Sequence, residues 1–361
     1  MRFYDALQYD PMLLKAKIQE KPAGKERRRL QFALVFRSFL IVAFAIALLS
    51  PISALFGSEN TPMGVVLFCI LLSVRFVDFG YRIQDALRNL GLTLLLLLFV
   101  PVLAASLPPI PAGLLHFAAF FSILLMTAQV PEMGNGGLYG FAYMFLTGNP
   151  VSGSALAQRC LLTLAGFLLC GAVFFFKHAG KHKTRTFRQV LTSFSLSSPV
   201  SRWQLRLALG SSLLLVLCQL LSVQRFMWAG FACASLLSIY PTSEDAKQRF
   251  QFRIQGAVAG SLLFSLFYLL TAPSLRSLLG PAGGLLLGLS THYRTKTICN
   301  CFGALLLAVS IYGVQGAVIL RVLNNLLGAA FGYGFVCLFR RCVDQRYLPL
   351  PATETIPVGK R

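Results

Sequence analysis

Blocks of apolar residues follow one another along most of this chain, and most are bounded by Pro, Gly or a charged residue. Leu94 to Val100 reads LLLLLFV, and comparable blocks recur from Phe32 to Phe339. A bilayer core of about 30 Å needs about 20 apolar residues per helix, and backbone groups in lipid must be hydrogen-bonded within their own helix. The pattern therefore predicts an all-α polytopic membrane protein.

The helix breakers divide these blocks into about twelve candidate transmembrane helices, six in each half of the chain. Several are short for a bilayer, so tilted pairs or half-inserted segments are alternatives for them. The first six are 32–49, 63–74, 90–106, 112–129, 137–147 and 160–176, and the second six are 207–221, 226–240, 254–271, 275–290, 297–312 and 317–339.

Composition agrees with a membrane location. Of the 361 residues, 56% are apolar and only 12% are charged, whereas a soluble chain carries charge on about a quarter of its residues. The net charge of +21 would suggest nucleic-acid binding in a soluble protein. Here the basic residues lie between apolar blocks, which is typical of membrane topology, so nucleic acid is not expected as a partner.

The distribution of Lys and Arg also predicts orientation. If the N-terminus is cytoplasmic and twelve spans alternate, nearly all of the 33 basic residues fall on the inner side, as the positive-inside rule requires. Both termini are then cytoplasmic, and we expect a multi-pass protein of the inner membrane. The exceptions are Arg37, Arg159, Arg225, Arg276 and Arg321.

The two halves resemble one another, which indicates tandem six-helix repeats. Because each half has an even number of spans, the repeats are predicted to have parallel orientation. An offset of 165 pairs Arg88 with Arg253 and Gly91 with Gly256, and an offset of 162 pairs Arg159 and Gly166 with Arg321 and Gly328.

This organisation divides the chain into five parts. They are a basic cytoplasmic N-terminal segment (1–31), the first six-helix repeat (32–176), a basic cytoplasmic linker (177–203), the second six-helix repeat (204–339) and a cytoplasmic tail (340–361). Nine cysteines lie mostly in apolar blocks, as small buried hydrophobic residues do. Cys299 and Cys301 have no second Cys/His pair at metal-binding spacing, so no metal or other cofactor is expected.

Short motifs follow a recognisable order in the second half: Arg206, Trp228-Ala229, Pro241, Arg253-x-x-Gly256-x-x-x-Gly260, and Arg321 with Gly328. In this order the chain resembles the fusaric acid resistance, or aromatic acid exporter, superfamily of bacterial inner-membrane proteins. The first half departs from the pattern, because Met63-Gly64 stands where Trp-Ala would be expected and Leu95 replaces the second glycine. The resemblance implies export of small organic anions, chiefly aromatic carboxylates, driven in bacteria by the proton gradient.

The resemblance also implies alternatives. Plant malate channels resemble the same superfamily and pair one six-span unit per chain into dimers, so this chain would be a monomeric pseudo-dimer or a homo-oligomer, and an anion channel is the second functional hypothesis. A lipid-modifying enzyme would need clustered His, Asp or Glu, which the sequence does not show. A membrane scaffold needs no such chemistry and is the other alternative.

Arginines are the candidate substrate-binding residues. Arg88 and Arg253 begin the third span of each half, where a guanidinium can bind a carboxylate or contact lipid headgroups. Arg159 and Arg321 open the sixth span of each half on the outer side, against the positive-inside bias, which favours an anion site. Snorkelling to outer headgroups is the alternative for this second pair.

Other polar residues within the spans could assist. Asn324 and Asn325 follow Arg321 and could orient a substrate or hydrogen-bond between helices. His116 in the fourth span and Glu132 after it are the proton-coupling candidates, although a histidine on an apolar helix often serves packing. The predicted helix-packing residues are Trp228, Gly256, Gly260, Gly91, Gly166 and Gly328.

Overall fold

The computed structural model describes residues 3–9, 11–240 and 245–347, and this part of the chain is helical without strands. Pro241 of the motif and residues 348–361 of the predicted tail lie outside it. The helices are α1 Phe3–Gln8, α2 Pro11–Glu20, α3 Lys25–Phe56, α4 Thr61–Val74, α5 Ile83–Ala105, α6 Pro109–Thr127, α7 Asn135–Thr147, α8 Gly153–His178, α9 Phe187–Thr192, α10 Pro199–Leu220, α11 Met227–Leu237, α12 Ala246–Leu270, α13 Leu279–Leu289, α14 Tyr293–Phe339 and α15 Gln345–Tyr347.

Seven helices of the described chain are long and apolar enough to cross a membrane: α3, α5, α6, α8, α10, α12 and α14 with its continuation to Tyr347. Their outer faces carry large apolar side chains, as on α12, where Leu262, Leu266 and Leu269 are exposed at helical spacing. Contact between such a face and lipid is favourable, whereas exposure of the same face to water would be unfavourable. The predicted all-α, multi-pass membrane protein is confirmed.

The number of crossings stays a prediction. Each predicted span overlaps a helix, but α4, α7, α11 and α13 have only 11 to 14 residues. A perpendicular crossing needs about 20 residues, so these four helices cannot be counted as spans by length alone.

Helix α14 is a hairpin of two arms. Gly313 has φ 67 and ψ 174, a left-handed backbone that glycine adopts at little cost. The side chains of Cys301 and Arg321 are close enough to interact electrostatically, although a straight helix would place these residues about 30 Å apart. The chain therefore reverses at Gly313, and we call residues 293–312 the first arm and residues 314–339 the second arm.

Some predicted boundaries move. Helix α3 begins at Lys25 rather than at residue 32, since the Lys, Glu and Arg residues that precede the apolar block are good helix formers. Helix α10 begins with Pro199 at its first position, where proline needs no hydrogen-bond partner for its nitrogen. The connection between halves is therefore residues 179–198, and Trp203 lies inside α10.

The connection between halves docks onto the loop that follows α4. The Asp78 carboxylate lies 3.1 Å from Nε2 of His182 and 3.3 Å from Nζ of Lys181. Burial alone would raise the pKa of Asp78, but the backbone N–H of Gly80 and the charges of His182 and Lys181 outweigh it and lower that pKa.

Packing between the halves is reciprocal. The first long helix of the chain, α3, contacts α13, and α10, the first helix of the second half, contacts α6. Close approach needs glycine at both contacts: a Cβ on Gly288 would lie 2.7 Å from Oγ of Ser38, and one on Gly113 would overlap Val216. Each half thus contributes its first helix to a contact with the fourth helix of the other.

Close packing also occurs within each half. Gly166 of α8 lies against Leu67 of α4, and Gly328 of the second arm lies against the backbone of Ala229 in α11. A Cβ on Gly256 would be 2.7 Å from Cβ of Thr297, and one on Gly260 would be 2.7 Å from the backbone oxygen of Ile298. These last two glycines bring α12 against the first arm of α14, and Gly91 similarly faces Phe167.

Candidate functional site

Arg321 is a buried cation with unused hydrogen-bond donors. Its side chain extends from the second arm, is 3% exposed, and places its guanidinium carbon 5.1 Å from the ring centroid of Trp228. No acceptor in the described parts of the chain bonds its Nε or Nη1. The thiol of Cys301 is nearby, but sulfur is a weak acceptor. Because a guanidinium keeps its proton in proteins, the charge persists at this buried position.

Arg253 lies beside Arg321 and shares a partner with it. Its Nε donates to Oδ1 of Asn325 at 2.9 Å, and its Nη1 lies 3.5 Å from the hydroxyl of Tyr293. Asn325 in turn donates from Nδ2 to the main-chain oxygen of Arg321 at 2.7 Å. Helix α12 begins at Ala246, so Arg253 lies two turns inside the helix rather than just before it, as the predicted span 254–271 had it, and its side chain is buried.

A third arginine extends the group. Arg249, one turn before Arg253 on α12, places its guanidinium carbon 4.5 Å from the ring centroid of Tyr293. The Tyr293 hydroxyl also lies 2.7 Å from Oγ of Ser235 on α11. The Arg249 Nε is buried and has no hydrogen-bond partner within residues 3–9, 11–240 and 245–347.

These three residues, Arg249, Arg253 and Arg321, form what we call the arginine cluster. None of them is ion-paired with a carboxylate of the described residues. Burying an ion of either sign costs several kcal/mol of folding free energy unless an opposite charge or hydrogen bonds compensate it. Buried cations of membrane proteins therefore mark sites that bind anions or polar substrates.

The corresponding arginines of the first half are engaged differently. Arg159 donates from Nε to Oδ1 of Asn60 at 2.8 Å, from Nη1 to the backbone oxygen of Asn149 at 2.9 Å, and from Nη2 to that of Glu59 at 2.7 Å. Every nitrogen of Arg159 thus has a protein partner. The side chain of Arg88 is 77% exposed and lies 3.9 Å from Asp85. Neither residue joins the arginine cluster.

Asn324 accounts for part of this difference between halves. It donates from Nδ2 to the backbone oxygen of Gln224, in the loop before α11, at 2.9 Å. The predicted offset of 165 pairs Gln224 with Glu59, whose backbone oxygen is bonded by Arg159 in the first half. In the second half the amide of Asn324 bonds this loop instead, and Arg321 turns towards Trp228.

Sequence reasoning missed Arg249 and Tyr293 as members of the site. The available signal was helical spacing, since Arg249 lies four residues before Arg253 and therefore on the same face of α12. Arg206, a residue of the motif, instead has a structural role. It donates to the backbone oxygens of Leu237 and Ile239 and so satisfies carbonyls at the C-terminal end of α11.

The proton-coupling candidates lie in other places. His116 is buried in α6, with Nδ1 2.8 Å from the hydroxyl of Tyr143, and it lines a cavity of 340 Å³. Glu132 is exposed in the short turn Pro131–Met133 between α6 and α7.

Comparison with known families identifies the segment that holds the arginine cluster. Residues 213–335 match the model of a family described as fusaric acid resistance protein-like. Over this segment, about a third of its length, the chain is similar to the fusaric acid resistance protein-like family. The resemblance inferred from the short motifs is thereby confirmed. No curated protein and no solved structure matches this chain.

The fusaric acid resistance protein-like family is one of membrane transporters. Its matched segment includes α11 and α12 completely and α14 as far as Phe335. All three arginines of the cluster, with Trp228, Tyr293 and Asn325, are therefore within the part of the chain that carries the family signature.

The contrast between Arg159 and Arg321 can be tested by stability. Arg159→Met leaves three acceptors without a donor and should lower the free energy of unfolding by on the order of 3 kcal/mol. Arg321→Met removes an uncompensated buried charge, so its stability should be within about 1 kcal/mol of the unaltered protein or above it. Unfolding of both purified variants in one detergent measures the difference. Equal destabilisation by the two substitutions would mean that Arg321 has protein partners after all.

Proposed function

We propose that this protein exports small organic anions, chiefly aromatic carboxylates, across the cytoplasmic membrane. The observation that carries the proposal is the buried Arg321 guanidinium, in which two nitrogens, Nε and Nη1, have no acceptor among the described residues. A carboxylate placed there would compensate the charge of the arginine cluster and use those donors. Charge-assisted hydrogen bonds of this kind are about twice as strong as neutral ones.

The surroundings of Arg321 favour an aromatic substrate. The indole of Trp228 already packs against the guanidinium, and Tyr293 packs against Arg249 on the other side of the arginine cluster. Aromatic walls next to cationic groups suit a ligand whose ring and carboxylate are recognised separately. In this proposal Asn325 holds Arg253 and the second arm in register, while Asn324 fixes the neighbouring loop.

We further propose that the chain has twelve spans in two parallel repeats that alternate access to the arginine cluster. The reciprocal packing of α3 on α13 and of α10 on α6 supports this arrangement. So does the chain reversal at Gly313, which gives the second half six helical segments. A twofold pseudosymmetric contact of this kind can rock without unfolding either half.

Cysteine labelling tests this topology. In a variant without native cysteines, Lys15→Cys and Lys183→Cys should react with an impermeant maleimide only in inverted vesicles. Ser58→Cys and Ser274→Cys should react only in right-side-out vesicles, because an odd number of crossings separates them from the N-terminus in this scheme. Reaction of Lys15→Cys and Lys183→Cys from opposite sides would exclude two like-oriented repeats.

An anion channel is the second candidate function. In its favour, none of the described carboxylates pairs with the arginine cluster, so none of them is placed there to exchange a proton for the substrate. An exporter driven by the proton gradient would then need a titratable group elsewhere, such as His116. The transport assay below separates the two functions.

Flux of radiolabelled benzoate into inverted-orientation liposomes tests the proposed function. The unaltered protein should give saturable flux, and Arg321→Ala should reduce it at least tenfold because the anion loses its main donor. Arg321→Lys should retain only part of the flux of the unaltered protein, since an ammonium keeps the charge but lacks the planar donors of a guanidinium. Arg276→Ala is the matched control, because the contacts of Arg276 in the described part of the chain are local, to the backbone oxygens of Tyr268 and Thr271 and the ring of Tyr268.

The assay has two decisive outcomes besides the expected one. Flux that is unchanged in Arg321→Ala would remove the arginine cluster from the transport path. Flux that does not depend on an imposed pH gradient, together with single-channel currents in planar bilayers, would favour the channel over the proton-coupled exporter.

A further inference from the structure

A cavity of 340 Å³ lies between the two halves, away from the arginine cluster. The ends of α5 and α10 and the loop before α11 form its walls, with apolar contributions from Ala105, Leu215 and Phe226 and polar ones from His116 and Gln219. Small-molecule sites are typically mostly apolar cavities of about 300–1,000 Å³ with a few polar groups that fix orientation. By size and lining, this cavity belongs to that class.

The bond between His116 and Tyr143 determines what the cavity can recognise. The Tyr143 hydroxyl is fully buried, and His116 Nδ1 at 2.8 Å is its hydrogen-bond partner in the described structure. A phenol proton without an acceptor would be costly, so we assign Tyr143 as the donor and Nδ1 as the acceptor. In neutral imidazole the other nitrogen then carries the proton. His116 Nε2–H is thus a donor with no partner among the described residues.

The loop between α10 and α11 connects this cavity with the arginine cluster. Ser222 and Phe226 line the cavity, and Gln224 between them accepts the hydrogen bond from Asn324. Ser222 and Arg225 have φ of 50 and 53, a left-handed backbone that non-glycine residues adopt at a cost of about 1–3 kcal/mol. Strain of this kind often occurs at ligand-binding segments. Phe226 and Trp228, two residues apart, contact the cavity and Arg321 respectively.

We propose that the cavity is a second binding site for small aromatic carboxylates, in which His116 Nε2–H donates to the carboxylate and the ring lies against Leu215 and Phe226. The ligand class rests on the proposed function, whereas the site itself rests on the cavity and the unpartnered ring nitrogen. In the proposed topology the cavity faces the outer side, so it would hold the anion after it leaves the arginine cluster.

Photolabelling with 4-azidobenzoate tests the site. Illumination releases nitrogen gas, and the resulting nitrene inserts into neighbouring bonds, so mass spectrometry of peptides identifies the residues at the ring. Labels are expected on residues 215–226 and to be displaced by benzoate. Ala105→Trp fills the cavity and should reduce this labelling at least tenfold. Leu103→Trp, on the exposed face of the same helix, is the matched control and should label normally.

A second variant tests the role of His116. The substitution His116→Asn keeps a polar atom near Tyr143 but removes Nε2. About fivefold more benzoate should then be needed to displace the label, the factor that corresponds to one ordinary hydrogen bond. Size-exclusion chromatography checks that each variant is folded.

The proposal has outcomes that would overturn it. Labelling of residues 215–226 that is equal in Ala105→Trp and Leu103→Trp, or absent at saturating probe in the unaltered protein, would show that the cavity does not bind this ligand. Arg321→Ala separates the two proposals. If this variant is still labelled in the cavity and its benzoate flux is unchanged, the proposed role of the arginine cluster is contradicted, whereas the second site is supported.

Discussion

A guanidinium that cannot release its proton and is withdrawn from water must find its compensation in the protein or in a ligand. In the first half of this chain the protein supplies the compensation, because Arg159 donates to three oxygens in the connections between α3 and α4 and between α7 and α8. The second half does not, because two nitrogens of Arg321 have no acceptor in the described structure and the nearby Arg253 adds charge of the same sign. The same residue type thus serves folding in one half and is available for an anion in the other.

Close helix packing makes this arrangement possible. Gly328 lets the second arm of α14 contact the backbone of α11, which carries Trp228, while Gly256 and Gly260 draw α12 onto the first arm. Interfaces in membranes depend on such small residues, since lipid gives helices little hydrophobic reason to associate. The result is that side chains from α11, α12 and both arms meet at one buried position, where a side chain at any of these glycines would push the helices apart.

Much of this could be predicted from the sequence. Apolar blocks and Pro/Gly breakers located the helices, and the candidate site residues Arg253, Asn325 and Arg321 lie together. Arg253 and Arg321 were expected near opposite surfaces of the membrane, which stays a prediction. Both side chains are buried in the helix bundle, and Arg253 lies two turns inside α12 because that helix extends beyond its apolar block. The difference in hydrogen bonding between Arg159 and Arg321 could not be predicted, because it depends on contacts between distant segments. Asn60 accepts a hydrogen bond from Arg159, whereas Asn324 bonds the corresponding loop of the second half. Arg249 was missed because it joins the arginine cluster through its contact with Tyr293, which lies on another helix.

Binding of an anion at Arg321 can be followed through the fluorescence of Trp228, because this indole packs against that guanidinium. The chain has two tryptophans, so Trp203→Phe leaves Trp228 as the single indole. Titration of this variant with benzoate should change its fluorescence saturably, and the change should disappear when Arg321→Met is added. A saturable change that survives the loss of Arg321, or no change at concentrations that saturate transport, would contradict the account.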